Sequence, residues 1–194
     1  NAMGGISTAY IWDFNNNFNF ANPGANKNLE LTTIKVEGTN ENNFFKSDYD
    51  NSNVTKHSSY LSNITIAFPI SQKVKFGMGY QPYSSKKYSV LIQEDLADEV
   101  KRASIFRGEG TLSTVQAALS YQISPEFGLG FRTNFYFGNL YDINELTYSN
   151  AELINGYETK NKIKTFNFTL GSAYQKKFGT DRKFTLGATY TFGN

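Results

Sequence analysis

The sequence predicts an all-β fold, an antiparallel barrel of membrane-crossing strands, on three observations. The first is strict alternation. In the closing stretch KFTLGATYTFGN (183–194), Phe184, Leu186, Ala188, Tyr190 and Phe192 alternate with Thr185, Gly187, Thr189 and Thr191. Period-two patterning of this kind gives a strand one apolar and one polar face. The second is the coexistence of 17 Phe, 13 Tyr and 1 Trp with a mean hydropathy of −0.47. Alternating strands produce that pairing, because each ring is diluted by a small or polar neighbour on the other face. The third is the rhythm of the connections. Ser71-Gln72, Ser124-Pro125-Glu126 and Gly179-Thr180-Asp181-Arg182 are tight turns, whereas 39–58, 83–106 and 139–161 are long and polar. Short turns at one end and long loops at the other describe an outer-membrane barrel. A soluble β-sandwich is the alternative, with turn signals at more even spacing.

Seven strands are read in order. LELTTIKVEG (29–38) is the weakest. YLSNITIAFPI (60–70) sets Tyr60, Ile64, Ile66, Phe68 and Ile70 on one face, and KVKFGMGYQ (73–81) sets Val74, Phe76, Met78 and Tyr80 against Lys73, Lys75, Gly77 and Gly79. TLSTVQAALSYQI (111–123) offers Val115, Ala117, Leu119 and Tyr121. FGLGFRTNFYFG (127–138) carries Phe127, Leu129, Phe131, Phe135 and Phe137 opposite Gly128, Gly130, Arg132 and Asn134. KTFNFTLGSAYQKKF (164–178) shows Phe166, Phe168, Leu170 and Tyr174, and 183–194 is the seventh. Lengths near 9–11 residues suit tilted crossings. The apolar face is expected to meet lipid and the Thr/Gly/Asn/Lys/Arg face to line a lumen.

Closure is where the count fails. Seven strands with the tight turns in the periplasm end outside, and a membrane sheet needs its edges paired. GGISTAYIWDF (4–14) alternates through Ile6, Tyr10, Trp12 and Phe14, but as an eighth strand it would place both termini outside. The expectation is therefore part of a barrel: a chain cut or recorded in part, or several chains closing one barrel. The opening Asn-Ala-Met reads as a tag remnant or as the start of a processed chain.

Composition narrows the chemistry. A net charge of +2 implies no nucleic-acid partner. With no Cys there is no disulfide or thiol chemistry. The longest apolar run, IAFPI (66–70), falls far short of the ~20 residues of a membrane helix. The one His, His57, sits in an Asn/Ser-rich stretch without triad or metal partners, and no nucleophile elbow or P-loop occurs. No enzyme, no cofactor and no metal site are expected. In SVLIQEDLADEVKRA (89–103), Ile92, Leu96 and Val100 share one helical face, with acids before bases. This predicts a short surface helix, capping the barrel mouth or lining a ligand groove. Glu94, Asp95, Asp98 and Glu99 in it are either a solvated face or a divalent-cation site.

The N-terminal region carries a family likeness. AMGGISTAY (2–10), an Asn/Phe-rich segment and FANPGAN (20–26) precede the first strand. This order, with the short turns and FRGEGTLSTVQAALSYQISPEFGLGFRTNFYFGNL (106–140), resembles the FadL-type outer-membrane transporters of hydrophobic compounds, in their Bacteroidota-like form. Asn22-Pro23-Gly24 would be the plug motif, with Gly where that family usually has Ala. The resemblance implies a plug remnant over 1–28 and the N-terminal portion of a barrel over 29–194, half of a fourteen-stranded wall. It implies passive uptake of hydrophobic small molecules such as long-chain fatty acids across the bacterial outer membrane. Leu140, Leu146, Leu153 and Ile154 in the loop after strand five would touch the ligand, or pack that loop against itself. Gly77 and Gly79 would mark a strand kink, or be small lumen residues beneath the plug. Arg132 would meet a carboxylate head group, or pair with an acid on plug or wall. Lys73 and Lys75 would hydrate the periplasmic rim. Partners would be hydrophobic small molecules, outer-membrane lipids and possible partner barrel chains. The alternative reading is a non-transporting barrel acting as scaffold, adhesin or secretion-complex subunit.

Overall fold

The computed structural model describes residues 7–46, 53–95, 100–149, 155–179 and 182–193. Its strands are β1 (Thr33–Lys46), β2 (Asn53–Pro69), β3 (Val74–Asp95), β4 (Lys101–Gln122), β5 (Phe127–Tyr148), β6 (Asn155–Phe178) and β7 (Arg182–Gly193). They form one antiparallel sheet in chain order, with β1 and β7 at its edges. The described residues thus make an open seven-stranded sheet, with the number of strands the alternation predicts and without the closure that a barrel needs. Residues 7–14, which alternate like a strand, form turns and irregular backbone.

The tight turns close as their sequences suggest. Ile70 and Ser71 both donate from their amides to the Val74 carbonyl, at 2.9 and 3.0 Å, while the Val74 amide donates to the Ser71 hydroxyl at 3.1 Å. Ser124 does the same for the next hairpin, accepting from the Phe127 amide at 3.1 Å. Serine fits because its hydroxyl supplies a local acceptor for a turn amide. Gly179, just past β6, has φ of 69°, a left-handed conformation that glycine adopts without steric cost.

The long polar segments are not loops. Strands β3, β4 and β5 are each 22 residues long and β6 is 24, so most of 83–106 and 139–161 is strand. The expected helix over 89–103 is replaced by the end of β3 and the start of β4, with 96–99 outside the described residues. Three apolar residues at helical spacing are outweighed by Tyr88, Val90 and Ile92, which favour extended backbone and gain cross-strand partners. The acids and bases serve that pairing: Arg102 Nη2 meets Glu94 Oε2 at 2.5 Å.

The chain divides into two compact units. Unit 1 comprises Asn1–Gln81, Val115–Asn134 and Asn167–Asn194; unit 2 comprises Pro82–Thr114 and Phe135–Phe166. In unit 2, Lys86 is ion-paired with Asp142, whose carboxylate also accepts from the Tyr88 hydroxyl at 3.1 Å. Aromatic pairs add to it, Tyr83 against Tyr136 at 4.7 Å and Phe135 against Phe166 at 4.5 Å.

Unit 1 is built opposite to a water-soluble sheet. Its buried strand residues are small or polar: Thr65, Ala67, Gln116, Ala118, Ser120, Asn134, Thr169, Ala173 and Gln175. The apolar residues between them are exposed, including Met78 at 47%, Leu170 at 51%, Leu186 at 56% and Tyr190 at 70%. A contiguous exposed face of this kind requires an apolar environment or a partner. The small, polar face is covered by residues 7–32, and that contact is where the site lies.

Candidate functional site: the docked N-terminal segment

Residues 7–32 contain almost no regular structure, so their backbone groups need other partners. Asparagine supplies them, having a donor and an acceptor on one short side chain. Asn19 Nδ2 donates to the carbonyls of Ser7 and Tyr10, both at 2.9 Å, and its Oδ1 accepts from the amides of Ala21 at 2.9 Å and Asn22 at 3.2 Å. Asn26 Oδ1 accepts from the Asn19 amide at 2.5 Å, while its Nδ2 donates back to the Asn19 carbonyl at 3.1 Å. Asn28 Nδ2 donates to the Trp12 carbonyl at 2.7 Å. The NNNFNFANPGANKN stretch is thus a self-bonded loop held by its own amides.

Asn22-Pro23-Gly24 is the point where this loop meets the sheet. The Ala25 amide donates to the Asn22 carbonyl at 3.0 Å, closing a four-residue turn with Pro23 second and Gly24 third. Asn22 is 0% exposed; its Nδ2 donates to the carbonyls of Thr8 at 2.6 Å and Ser172 at 2.8 Å, and its Oδ1 accepts from the Gly24 amide at 2.9 Å. Gly24 is required for closeness. A Cβ there would lie 2.8 Å from the Gly171 carbonyl oxygen and 2.9 Å from that of Gly128. The sheet answers with glycines of its own: a Cβ on Gly171 would stand 2.6 Å from Pro23 Cδ, and one on Gly130 would strike the Pro23 backbone. Glycine on both partners lets two backbones touch.

Gly77 and Gly79 lie on the same covered face. A Cβ on Gly77 would sit 2.8 Å from the Phe18 ring, and one on Gly79 would sit 3.3 Å from Gln116 Nε2. The β2–β3 register runs unbroken through both, Ala67 opposite Gly77 and Thr65 opposite Gly79. No register shift falls at these glycines; the shift in this part of the sheet lies between Glu37 and Gly38 on β1. A glycine in a strand marks close approach as readily as a bulge.

Arg132, on β5, points to the same interface. Its Nη1 donates to the Phe20 carbonyl and its Nη2 to Thr169 Oγ1 at 3.1 Å. Through the Phe20 carbonyl Arg132 ties the N-terminal segment to the sheet. Lys75 is only 4% exposed, so it does not hydrate a rim. Leu140 and Leu146 are half-buried residues of β5 in unit 2, not loop residues, while Leu153 and Ile154 lie outside the described residues. Arg132 falls in unit 1 and Leu140 and Leu146 in unit 2.

The far end of the segment is tied by charge. Lys183 Nζ meets Asp13 Oδ1 at 2.5 Å, and this hydrogen bond, then the lysine charge, holds the Asp13 carboxyl below its ordinary value. Lys27 is pushed below the usual lysine value, first by burial and then by Lys177 and Lys183. A polar cavity of about 720 Å³ opens among these groups. Neither the lysine cluster nor the cavity was foreseen; KK at 176–177 and RK at 182–183, flanking one turn, were the available signal.

The expected transporter family is not the one that fits. Residues 1–194 match the model of the BamG family along their whole length. Comparison with curated proteins and with solved structures gave no match. The FadL-type resemblance, and with it uptake of fatty acids and other hydrophobic compounds, is thereby overturned. A glycine pair and an Asn-Pro turn before a strand mark a tightly docked segment, and such docking carries no transport chemistry of its own. The chain belongs to the BamG family.

Proposed function

We propose that this chain is an outer-membrane component of an assembly of the BAM type, contributing a membrane-embedded wall and a docking surface to a machine for outer-membrane protein assembly. Its role is that of a scaffold or complex subunit, exerted through shape and contacts without turnover of a substrate. The observation that carries the reading is the inversion of the unit 1 sheet, joined to membership of the BamG family. An apolar, aromatic-rich face exposed at Leu170, Leu186 and Tyr190 suits lipid. On this reading the strand portions within unit 1 cross the bilayer and residues 7–32 plug the polar side. The open edges β1 and β7 then pair with further strands, because unpaired backbone in lipid costs several kcal/mol per group.

The test is affinity purification of the tagged chain from outer membranes in mild detergent, with quantitative mass spectrometry. Near-stoichiometric recovery of outer-membrane assembly components is expected. Recovery of the chain alone, at several detergent strengths and after crosslinking in cells, would overturn the proposal.

A further inference from the structure

Three lysines stand at alternate positions of β6, Lys160, Lys162 and Lys164, and Phe166 follows in the same step. Alternate residues of a strand share a face and lie about 7 Å apart, so the four make one row. Asn161, Ile163 and Thr165 between them are mixed in kind, and no apolar period marks the stretch. All four side chains of the row are exposed, whereas Ile163 and Thr165 are half-buried. The row belongs wholly to unit 2. Contacts with β5 define what lies beside it. Lys160 Nζ sits 5.2 Å from the centre of the Tyr141 ring. The Phe166 ring stacks on Phe135 at 4.5 Å, and Phe135 stacks in turn on Phe137 at 5.5 Å. One face of this strand pair thus carries three phenylalanines at one end and three lysines running away from them.

Counter-charge is short on this face. Other acids of unit 2 are engaged elsewhere: Asp142 by Lys86, Glu94 by Arg102 and Glu145 by Arg107. Glu109 is on β4, with β5 between it and the row. Glu158 precedes Lys160 in the same step and stands next to that lysine alone. Among the described residues no carboxylate lies within ion-pair distance of the three lysines. Lys162 and Lys164 therefore have an anion to gain. The chemistry of the row says which kind. A lysine stem can lie along apolar surface while its ammonium reaches a polar layer. Ammonium groups beside stacked rings suit a molecule with an anionic head and apolar chains. An acidic protein surface would answer the lysines but would set charge against Phe166, which is 53% exposed.

We propose that Lys160, Lys162 and Lys164 bind the phosphate groups of an anionic lipid whose acyl chains lie against Phe135, Phe137 and Phe166. The inference rests on the outer-membrane reading above and deepens it, naming the lipid chemistry that this face of unit 2 takes.

The experiment titrates the full chain in a neutral detergent against phosphatidylglycerol carrying a fluorophore on one acyl chain, followed by anisotropy. Phosphatidylcholine with the same label is the comparison. The native chain is expected to bind the anionic lipid about tenfold or more tightly than the neutral one, with the preference weakened by salt. The variant Lys160→Gln with Lys162→Gln and Lys164→Gln should lose that preference, and arginine at the same three positions should keep it. Circular dichroism and thermal unfolding show that each variant folds. Inorganic phosphate and a pentaglutamate peptide should compete only at far higher concentration. The proposal is overturned if the native chain does not distinguish the two lipids, or if the folded glutamine variant still does. It is also overturned if phosphate or the peptide competes as strongly as the lipid, which would make the row a free-anion site or an acidic-protein site. Insertion into vesicles of phosphatidylcholine alone tests the membrane reading separately. A chain that fails to insert overturns that reading and this proposal together, whereas one that inserts without lipid preference overturns this proposal alone.

Discussion

Replacing Asn22 by Ala should release residues 7–32 from the sheet without unfolding the sheet. The side chain makes three hydrogen bonds, to the carbonyls of Thr8 and Ser172 and from the Gly24 amide, and it is wholly buried. A net value of about 1 kcal/mol for each such bond gives a loss of about 3 kcal/mol. At about 1.4 kcal/mol per factor of ten, the opening equilibrium shifts by roughly a hundredfold. Native-state hydrogen exchange reads this directly at the Ala25 and Leu29 amides, which are bonded within the segment to the carbonyls of Asn22 and Asn26. Their protection should fall about a hundredfold, while amides in the β6–β7 ladder keep theirs. Asn28→Ala, which removes one bond to Trp12, provides the scale and should cost roughly fivefold. A loss under threefold in Asn22→Ala would refute the reasoning, because the segment would then be held by something other than its asparagine anchor.

Other outcomes follow from the same geometry. Gly171→Val should displace Pro23 and expose residues 20–26 to limited proteolysis, with strand content by circular dichroism unchanged. On the membrane reading proposed above, Leu186→Arg should weaken stable insertion into liposomes, since a cation on the lipid face costs up to about 2–4 kcal/mol depending on depth, whereas Leu186→Phe should insert normally. The Asp13 carboxyl has a lowered value in the folded chain, so its pairing with Lys183 contributes above the ordinary 3.8 and is lost as pH falls below it. The segment's protection, taken relative to the intrinsic exchange rate at each pH, should therefore fall on acidification below about pH 4 in the native chain. Asp13→Asn should show that lower protection already at neutral pH, with a flatter acid response. In unit 2 the hydrogen bond from Lys86 is the main cause holding the Asp142 carboxyl low, with Tyr88 assisting after it. Lys86→Met should move its titration up toward 3.8, read by carboxyl carbon NMR.

The strands of unit 1 were legible because each face repeats one kind of residue. Phe184, Leu186 and Tyr190 against Thr185, Gly187 and Thr189 leave little choice but a two-faced strand. The same reasoning failed in unit 2, where YSSKKYS and NKIKT show no clean period, so their strand character comes from cross-strand partners such as Lys86 and Asp142. Ile92, Leu96 and Val100 read as a helix because three residues are too few to outvote the pairing of β3 with β4. Asn22-Pro23-Gly24 could be singled out as a motif, and Arg132 as an inward residue. The meeting of Lys27 with Lys177 and Lys183 could not, because it brings together residues some 150 positions apart through a docking that no local pattern encodes.

The paired glycines at the Pro23 contact give this protein an unusual tolerance profile. In most folds the residues that resist exchange are large and greasy, and a mutational scan finds the surface permissive. Here a saturation scan of unit 1 should come out reversed. A whole ring can be swapped for another at Tyr190, where only apolarity is asked for. One added methyl at Gly130 meets the Pro23 backbone and has nowhere to go. Sensitivity on this sheet tracks how near two main chains come, not how much side chain is hidden.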